Sequence, residues 1–489
     1  MKQKFLTKSV KLFLSFFLIY VLFSFYLNWN ENSRLDLTLA IVNEGTFSID
    51  SYYQNTGDRS VFEKNYYSDK APGLSFLLSP VYYFYKSFFG MPELHHNISN
   101  MGVSQGWLLV VFLSIVFTSA LFGALSVVLV YKISKYFTAK ELHRDIVVII
   151  FGLASLVFVY SRMLIEHVPA MFFSFLSFYF VFRMKYNQTK KDYSFVAGIV
   201  GGLSFIISYS TGLVILFCFI YLLSLKNWRF TLKFMLGCFL LLLILIIYNI
   251  SIFGHPFDLT TFYVDESLWN ETGISQQFNL NLSNVPHVFI RILFFSYRGL
   301  LFYYPILIFS FIGLFFMRKK YKFESILISI LSSLFLLYNS FLSIWWGGAS
   351  FGPRHLTPLM PFLMIPLLFA MKKIKLRYIV PFIIISILFN LVGMQPWEEK
   401  AAVILRDAPI TYNSILNSFE SFGNPIFDFY IPNLNNNLFR TFLLEQISPV
   451  FQRHLFGFKI VLLLLAIIWH KEIFKLTKLD KKLKKLKWY

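Results

Sequence analysis

The chain has 489 residues, of which 57% are hydrophobic and 14% charged, with a mean hydropathy of +0.61. A soluble protein of this length could not cover so much apolar surface, so the composition argues against a water-soluble enzyme and makes bilayer the solvent. A formal charge of +20 suggests nucleic acid until its distribution is read. The two cysteines, Cys218 and Cys238, both lie inside apolar runs, which argues against a disulfide framework or a cysteine-based metal site.

The first apolar run, Val10 to Leu27, is followed by no small-residue cleavage site and reads as a retained first helix. Further runs close to the ~20 residues of a spanning helix recur along the chain. They predict twelve spans, at 10–28, 107–131, 146–161, 167–182, 194–209, 211–225, 234–253, 300–317, 325–344, 357–371, 378–394 and 456–470. Gly123, Gly201 and Gly202 fall inside spans, where small residues let helices approach closely. One alternating set of connections, with both termini, holds 31 of the 45 basic residues and 6 of the 25 acids. By the positive-inside rule that side is cytoplasmic, the chain is a multi-pass plasma-membrane protein, and its charge is a topology signal. The nucleic-acid reading is dropped. In the basic tail, Leu476, Leu479, Leu483 and Leu486 share one helical face, which suits a helix on the anionic inner leaflet; a solvated basic tail is the alternative.

Three connections on the external side are too long to be simple turns: 29–106, 254–299 and 395–455. The first predicts two interfacial helices, one from Ser33 to a stop at Gly45 and one from Ala71-Pro72-Gly73 to Gly90. Pro80 and short length argue against the second crossing the bilayer, and a crossing would invert every later loop. Pro72 suits a first helical turn, with Ser68 or Asp69 as cap, so the free amides there lie beside Lys70. A helix N-terminus with an ammonium is suited to a lipid phosphate; a capped interfacial helix with a snorkelling lysine is the bland alternative. Other ionisable residues project to the same face: Glu31, Arg34 and Asp36 after the first span, then Asp50, Asp58 and Arg59. Arg162, Glu166 and His167 make one hairpin, Arg298 starts a span, and Arg354 and His355 follow Gly347, Gly348 and Gly352. Each alone reads as a solvated residue. Together, above spans almost free of charge, they describe a site at the outer boundary.

Three segments then carry a family resemblance: the acidic stretch NENSRLD, the motif Tyr67-Ser68-Asp69-Lys70-Ala71-Pro72-Gly73, and WWGGASFGPRHLTPLMPFL. The chain resembles the GT-C membrane glycosyltransferases, in particular the family-39-like branch with protein O-mannosyltransferases and lipid A aminoarabinose transferases. The resemblance covers roughly the first 370 residues. It implies an all-α polytopic GT-C-type bundle of about twelve transmembrane helices, with interfacial helices in the first external loop. The catalytic region would be 1–394, followed by an external loop at 395–455 and a last helix with basic tail at 456–489. The implied activity is inverting transfer of a sugar from a polyprenyl-phosphate carrier to a lipid, glycan or protein acceptor at the outer face. The family's first-loop acid falls on Glu31, with Asp36 the second candidate base; its phosphate-contacting Lys-Pro-Pro segment falls on Lys70-Ala71-Pro72. Arg298 and Arg354 would add charge at the phosphate, and Arg34, Asp58, Arg59, Tyr67, Asp69, His167 and His355 would line the substrate. Asn30 stands where many relatives carry Asp. With no Asp-x-Asp pair, a divalent metal is possible but not indicated, and no cofactor is implied. Competing readings are a twelve-helix transporter or flippase, a polysaccharide ligase or polymerase with a polyprenyl-linked donor, and a catalytically dead family member.

Overall fold

A computed structural model describes residues 6–26, 29–93, 104–186, 191–265, 282, 285–348, 350–394, 424–432, 440–452 and 455–486. The rest of the loop at 395–455, and residues 266–281, 283 and 284 of that at 254–299, lie outside the described residues. The chain is a helical membrane protein. Its helices are α1 (Lys8–Leu22), α2 (Trp29–Leu39), α3 (Gly73–Phe89), α4 (Gln105–Ile115), α5 (Leu121–Phe137), α6 (Glu141–Leu153), α7 (Leu156–Tyr160), α8 (His167–Tyr186), α9 (Ser194–Ile207) and α10 (Gly212–Leu223). They continue as α11 (Trp228–Phe253), α12 (Val285–Phe294), α13 (Leu300–Tyr303), α14 (Ile308–Met317), α15 (Lys322–Phe341), α16 (Met360–Lys373), α17 (Leu376–Val392), α18 (Phe442–Ile447) and α19 (Phe456–Leu486). Each of the twelve predicted spans falls on one or more of these helices. By length and composition, five helical stretches could cross a membrane alone: 105–137, 167–186, 228–253, 322–341 and 354–373. The 456–470 span and the basic tail form one continuous helix, α19, rather than a span followed by a separate surface helix.

Small residues set the helix spacing, as patterning in lipid requires. A side chain at Gly202 of α9 would press within 2.8 Å of Leu241 Cβ on α11, and one at Gly201 would meet Ser177 Oγ of α8 at 3.1 Å. These two glycines serve two different neighbours.

The first long loop is more structured than its sequence suggests. Arg59–Phe62 (β1) and Asn65–Ser68 (β2) form an antiparallel hairpin, with Arg59 opposite Ser68 and Ser60 opposite Tyr67. Glu63 and Lys64 take positive φ, +48° and +72°. That is the backbone a tight two-residue hairpin demands, here without the Asn-Gly or Asp-Gly that announces it. A third segment joins this hairpin: Ser60 bridges Val264, Val61 N–H donates to Tyr263 O at 2.8 Å, and Asp265 N–H donates to Arg59 O at 3.0 Å.

The predicted interfacial helices differ in character. α2 starts at Trp29, ahead of the expected Ser33, and residues Asn30 to Leu39 are all buried in protein. It continues through a π-turn, Ala40–Glu44, and stops at Gly45, where φ is +67°. α3 spans Gly73–Phe89 with Pro80 inside it, and exposes Tyr83, Phe84, Phe88 and Phe89 at its far end. Gly73 is required by contact rather than by φ: a Cβ there would sit 2.5 Å from the Ile206 carbonyl at the end of α9. The start of α3 is thus wedged against α9, which fixes Lys70 three residues upstream.

Candidate active site

The stretch from Trp29 to Lys70 folds back on itself through polar pairs. Ser33 Oγ lies 2.8 Å from Ser68 Oγ and donates to Asp69 Oδ1 at 3.2 Å. Asn30 Nδ2 donates to Asp58 Oδ2 at 3.4 Å. Ser75 Oγ, on α3, donates to the Arg34 carbonyl at 2.9 Å. Helix α2 is therefore stitched to the Asp58–Lys70 segment and to α3, and it carries Glu31 and Arg34 on the same face one turn apart.

Lys70 sits between two carboxylates: Asp58 Oδ2 at 2.9 Å and Asp69 Oδ2 at 2.8 Å. This departs from the expected helix cap. The N-cap of α3 is Pro72 with no side-chain hydrogen bond. Ser68 Oγ instead accepts from Lys70 N–H at 3.3 Å, and Asp69 turns onto the lysine head. Burial alone would raise the Asp58 carboxyl, but Lys70, with Arg354 and Arg34 behind it, carries it below the usual carboxylate value. Asp69 goes the other way: burial raises it, the charge on Asp58 adds to that, and Lys70 offsets only part. Burial would lower the Lys70 ammonium, yet the two carboxylates raise it.

The second part of the cluster comes from the loop before α8. Arg34 forms a buried ion pair with Glu166. Burial would raise Glu166; Arg34, His167 and Arg354 together pull it below the ordinary carboxylate value. Glu166 Oε1 is 3.5 Å from His167 Nδ1, and the His167 ring meets His355 edge-on with centroids 5.4 Å apart.

The third part is the loop before α16. Gly347, Gly348 and Gly352 all have positive φ, +78°, +62° and +63°, so the backbone takes a path that side chains resist. At Gly347 a Cβ would stand 3.0 Å from Arg354 Cγ and Nε, so the loop wraps this half-buried arginine closely. Arg354 acts electrostatically on Asp58, Glu166 and His355.

Segments 30–36, 58–70, 166–167 and 354–355, distant in sequence, thus meet in one charged cluster. Several of its buried polar atoms make no hydrogen bond within the protein: Arg34 Nε, Asp36 Oδ2, both ring nitrogens of His167, and Arg354 Nε. Buried polar atoms without a partner also occur elsewhere, at Arg162, Tyr248 and Asn339 for example, but here they converge with ionisable groups from four segments, the setting that suits a ligand site. Glu31 is fully buried in α2 beside Tyr26, whose hydroxyl it influences electrostatically. Asp36 accepts from Asn55 Nδ2 at 2.8 Å, and burial raises its carboxyl well above the usual value, with Asn55 offsetting part. Asn55 thus engages Asp36, as Lys70 engages Asp58 and Arg34 engages Glu166.

Three predicted site residues lie elsewhere. Arg298 donates to the carbonyls of Trp346 at 3.1 Å, Tyr297 at 3.0 Å and Gly348 at 3.3 Å, so its guanidinium holds the glycine loop in place. Arg59 turns away, pairing with Asp265 at 2.9 Å and donating to Tyr53 O at 2.8 Å. Tyr67 packs towards Phe253 at the end of α11. Among the residues sequence reasoning passed over, Ser33 and Asn55 are polar anchors with no distinguishing pattern, and Asp265 is a lone acid in a long loop. Among the described residues no group of three His, Cys, Asp or Glu side chains could hold a metal ion.

Residues 108–252, from α4 to α11, match the family model described as dolichyl-phosphate-mannose-protein mannosyltransferase. This bears out the resemblance to the GT-C superfamily of membrane glycosyltransferases. Among solved structures the chain is similar to ArnT from Cupriavidus metallidurans in the apo state, with 13% identity and a TM-score of 0.46 over 92% of this chain and 72% of that one. No curated protein matches.

Proposed function

We propose that this membrane glycosyltransferase takes a sugar from a polyprenyl-phosphate carrier and passes it, with inversion, to a lipid, glycan or protein acceptor at the outer face of the plasma membrane, with both termini in the cytoplasm. The observation that carries the reading is the meeting of Lys70, Arg34 and Arg354 with Asp58, Asp69 and Glu166 in one buried cluster, with Glu31 one turn from Arg34 on α2. Displacing a phosphate from an anomeric carbon needs cations where charge builds on the leaving group. It also needs a carboxylate to take the acceptor's proton as the new bond forms. Lys70, the first amides of α3 and Arg354 would meet the phosphate. Glu31 is the base of choice, because Asp58 and Glu166 are committed to cations and Asp36 is held by Asn55. The polyprenyl chain would lie in the bilayer while the acceptor approaches from outside. The residues proposed for the site come from α2 and from the segments before α3, α8 and α16 rather than from the middle of spans, whereas transporters place theirs near the midplane between broken helices. That favours the transferase over the transporter or flippase.

The test is transfer of radiolabelled sugar in membranes carrying the wild type or the Glu31→Gln variant. Loss of transfer in a variant that still inserts and folds supports the reading; full activity refutes it. The orientation is tested separately by labelling Asp50→Cys from outside and Lys320→Cys only after permeabilisation.

A further inference from the structure

The cluster sets three cations, Lys70, Arg34 and Arg354, among the carboxylates of Asp58, Asp69 and Glu166, with those of Glu31 and Asp36 on α2 as well, so cations do not outnumber acids. Lys70 is already shared by two of these acids, at 2.8 Å and 2.9 Å. Its positive charge is fully answered before any substrate arrives. A phosphodiester brings one more negative charge into a buried, low-dielectric place, where an unanswered charge is far more costly than in water. Either an acid must leave or an acid must be neutralised. The acids are fixed on α2-linked and α8-linked segments, so neutralisation is the cheaper route.

We infer that Asp69 takes up one proton when a phosphodiester headgroup binds, making it the residue that sets the charge this site admits. This rests on the proposed function for the location of the phosphate. The two acids on Lys70 are not equivalent. Both feel Arg34, but Asp58 also accepts from Asn30 and faces Arg354, whereas Asp69 has a hydroxyl, Ser33 Oγ, on its other oxygen at 3.2 Å. A protonated Asp69 keeps a hydrogen-bond partner in Ser33, whose hydroxyl can donate or accept. Its carboxyl already stands above the usual value, while that of Asp58 stands below, so the arriving charge protonates Asp69 first. The other groups facing this point are Lys70 itself, Arg34 from α2, Glu166 and His167 at the start of α8, and Arg354 and His355 before α16.

Calorimetric titration tests this with the detergent-solubilised full chain and farnesyl methyl phosphate, a diester that does not itself titrate near neutrality. Measured at pH 7 in buffers of different ionisation enthalpy, the observed heat should vary with the buffer, with a slope near one proton taken up. Asp69→Asn should still bind, and its slope should fall to near zero. Binding with no buffer dependence overturns the inference and leaves the site reading standing. A slope that survives in Asp69→Asn but vanishes in His167→Gln also overturns it, by assigning the proton to the histidine. Failure of the diester to bind at all would instead contradict the proposed function.

Discussion

The charged clusters around Glu324 and around Lys70 are built to different plans. In one, Glu324 at the start of α15 gathers Lys185 at 2.7 Å, Tyr186 at 2.6 Å and Tyr221 at 2.9 Å on a single oxygen, Oε1. The Lys185 ammonium also lies within about 5 Å of the Tyr221 and Phe323 rings. Every group there answers another, and the result is a staple between α8, α10 and α15. In the other, around Lys70 and Glu166, cations and acids also pair, but Arg34, Arg354, Asp36 and His167 keep buried polar atoms that make no hydrogen bond within the protein. Ion pairs alone therefore do not mark a site. Unmet atoms that converge with ionisable groups do.

The sharpest way to break this contrast is to remove one partner from each cluster. Arg34→Ala leaves Glu166 buried without its cation, which typically costs about 3–5 kcal/mol. The prediction is a large loss of thermal stability and of transfer, with much of the stability, but not the activity, restored by adding Glu166→Gln. Circular dichroism melts and the sugar-transfer assay read the two effects. Glu324→Gln should cost less, roughly 1–3 kcal/mol from the hydrogen bonds lost. It should leave transfer per folded molecule unchanged; a selective loss of activity there would end the distinction between staple and site.

The pH dependence sharpens it further. Glu166 stands below its ordinary value of 4.5 in the folded chain, so its contribution to stability is fully present above about pH 4.5 and is lost as pH falls through the lower, folded value. The melting temperature of the wild type should fall towards that of Glu166→Gln as the pH drops below this point, and the two should differ most at neutral pH. The smallest effect expected is at Arg59–Asp265, whose side chains are each 9% exposed. A double-mutant cycle on Arg59→Ala and Asp265→Ala should return a coupling of about 1–3 kcal/mol. Transfer should fall only modestly, because this pair holds the hairpin behind Asp58 without touching the cluster.

The legible part of the molecule was the part governed by bulk hydropathy and charge. Each predicted span lies on a helix, because a run of apolar residues in lipid has no alternative that satisfies its backbone. Lys70, Asp58, Asp69, Arg34, His167, Arg354 and His355 were legible as residues on one face, since charge is rare in such a chain. Their partners were not. The hairpin at Arg59–Ser68 turns on Glu63 and Lys64 rather than glycine or asparagine, so no turn signal announced it. Arg298 and Arg354 look alike in sequence, each beside an aromatic, glycine-containing stretch. Only the fold shows that backbone carbonyls consume one, while the other faces the acids. Likewise Glu31 ranked ahead of Asp36 in the sequence without a reason in hand; the fold adds that Asn55 holds Asp36 while Glu31 shares a helix face with Arg34.

The central claim is that Lys70 grips a lipid-borne phosphate while Glu31 does the proton transfer, and one paired measurement tests it. Diester binding and sugar transfer should be measured side by side for the wild type, Lys70→Ala and Glu31→Gln. The account predicts that Lys70→Ala loses both, with transfer down by about 10²–10³-fold or more, whereas Glu31→Gln binds the diester normally and does not transfer. Wild-type transfer in either variant, or wild-type binding in Lys70→Ala, would contradict it.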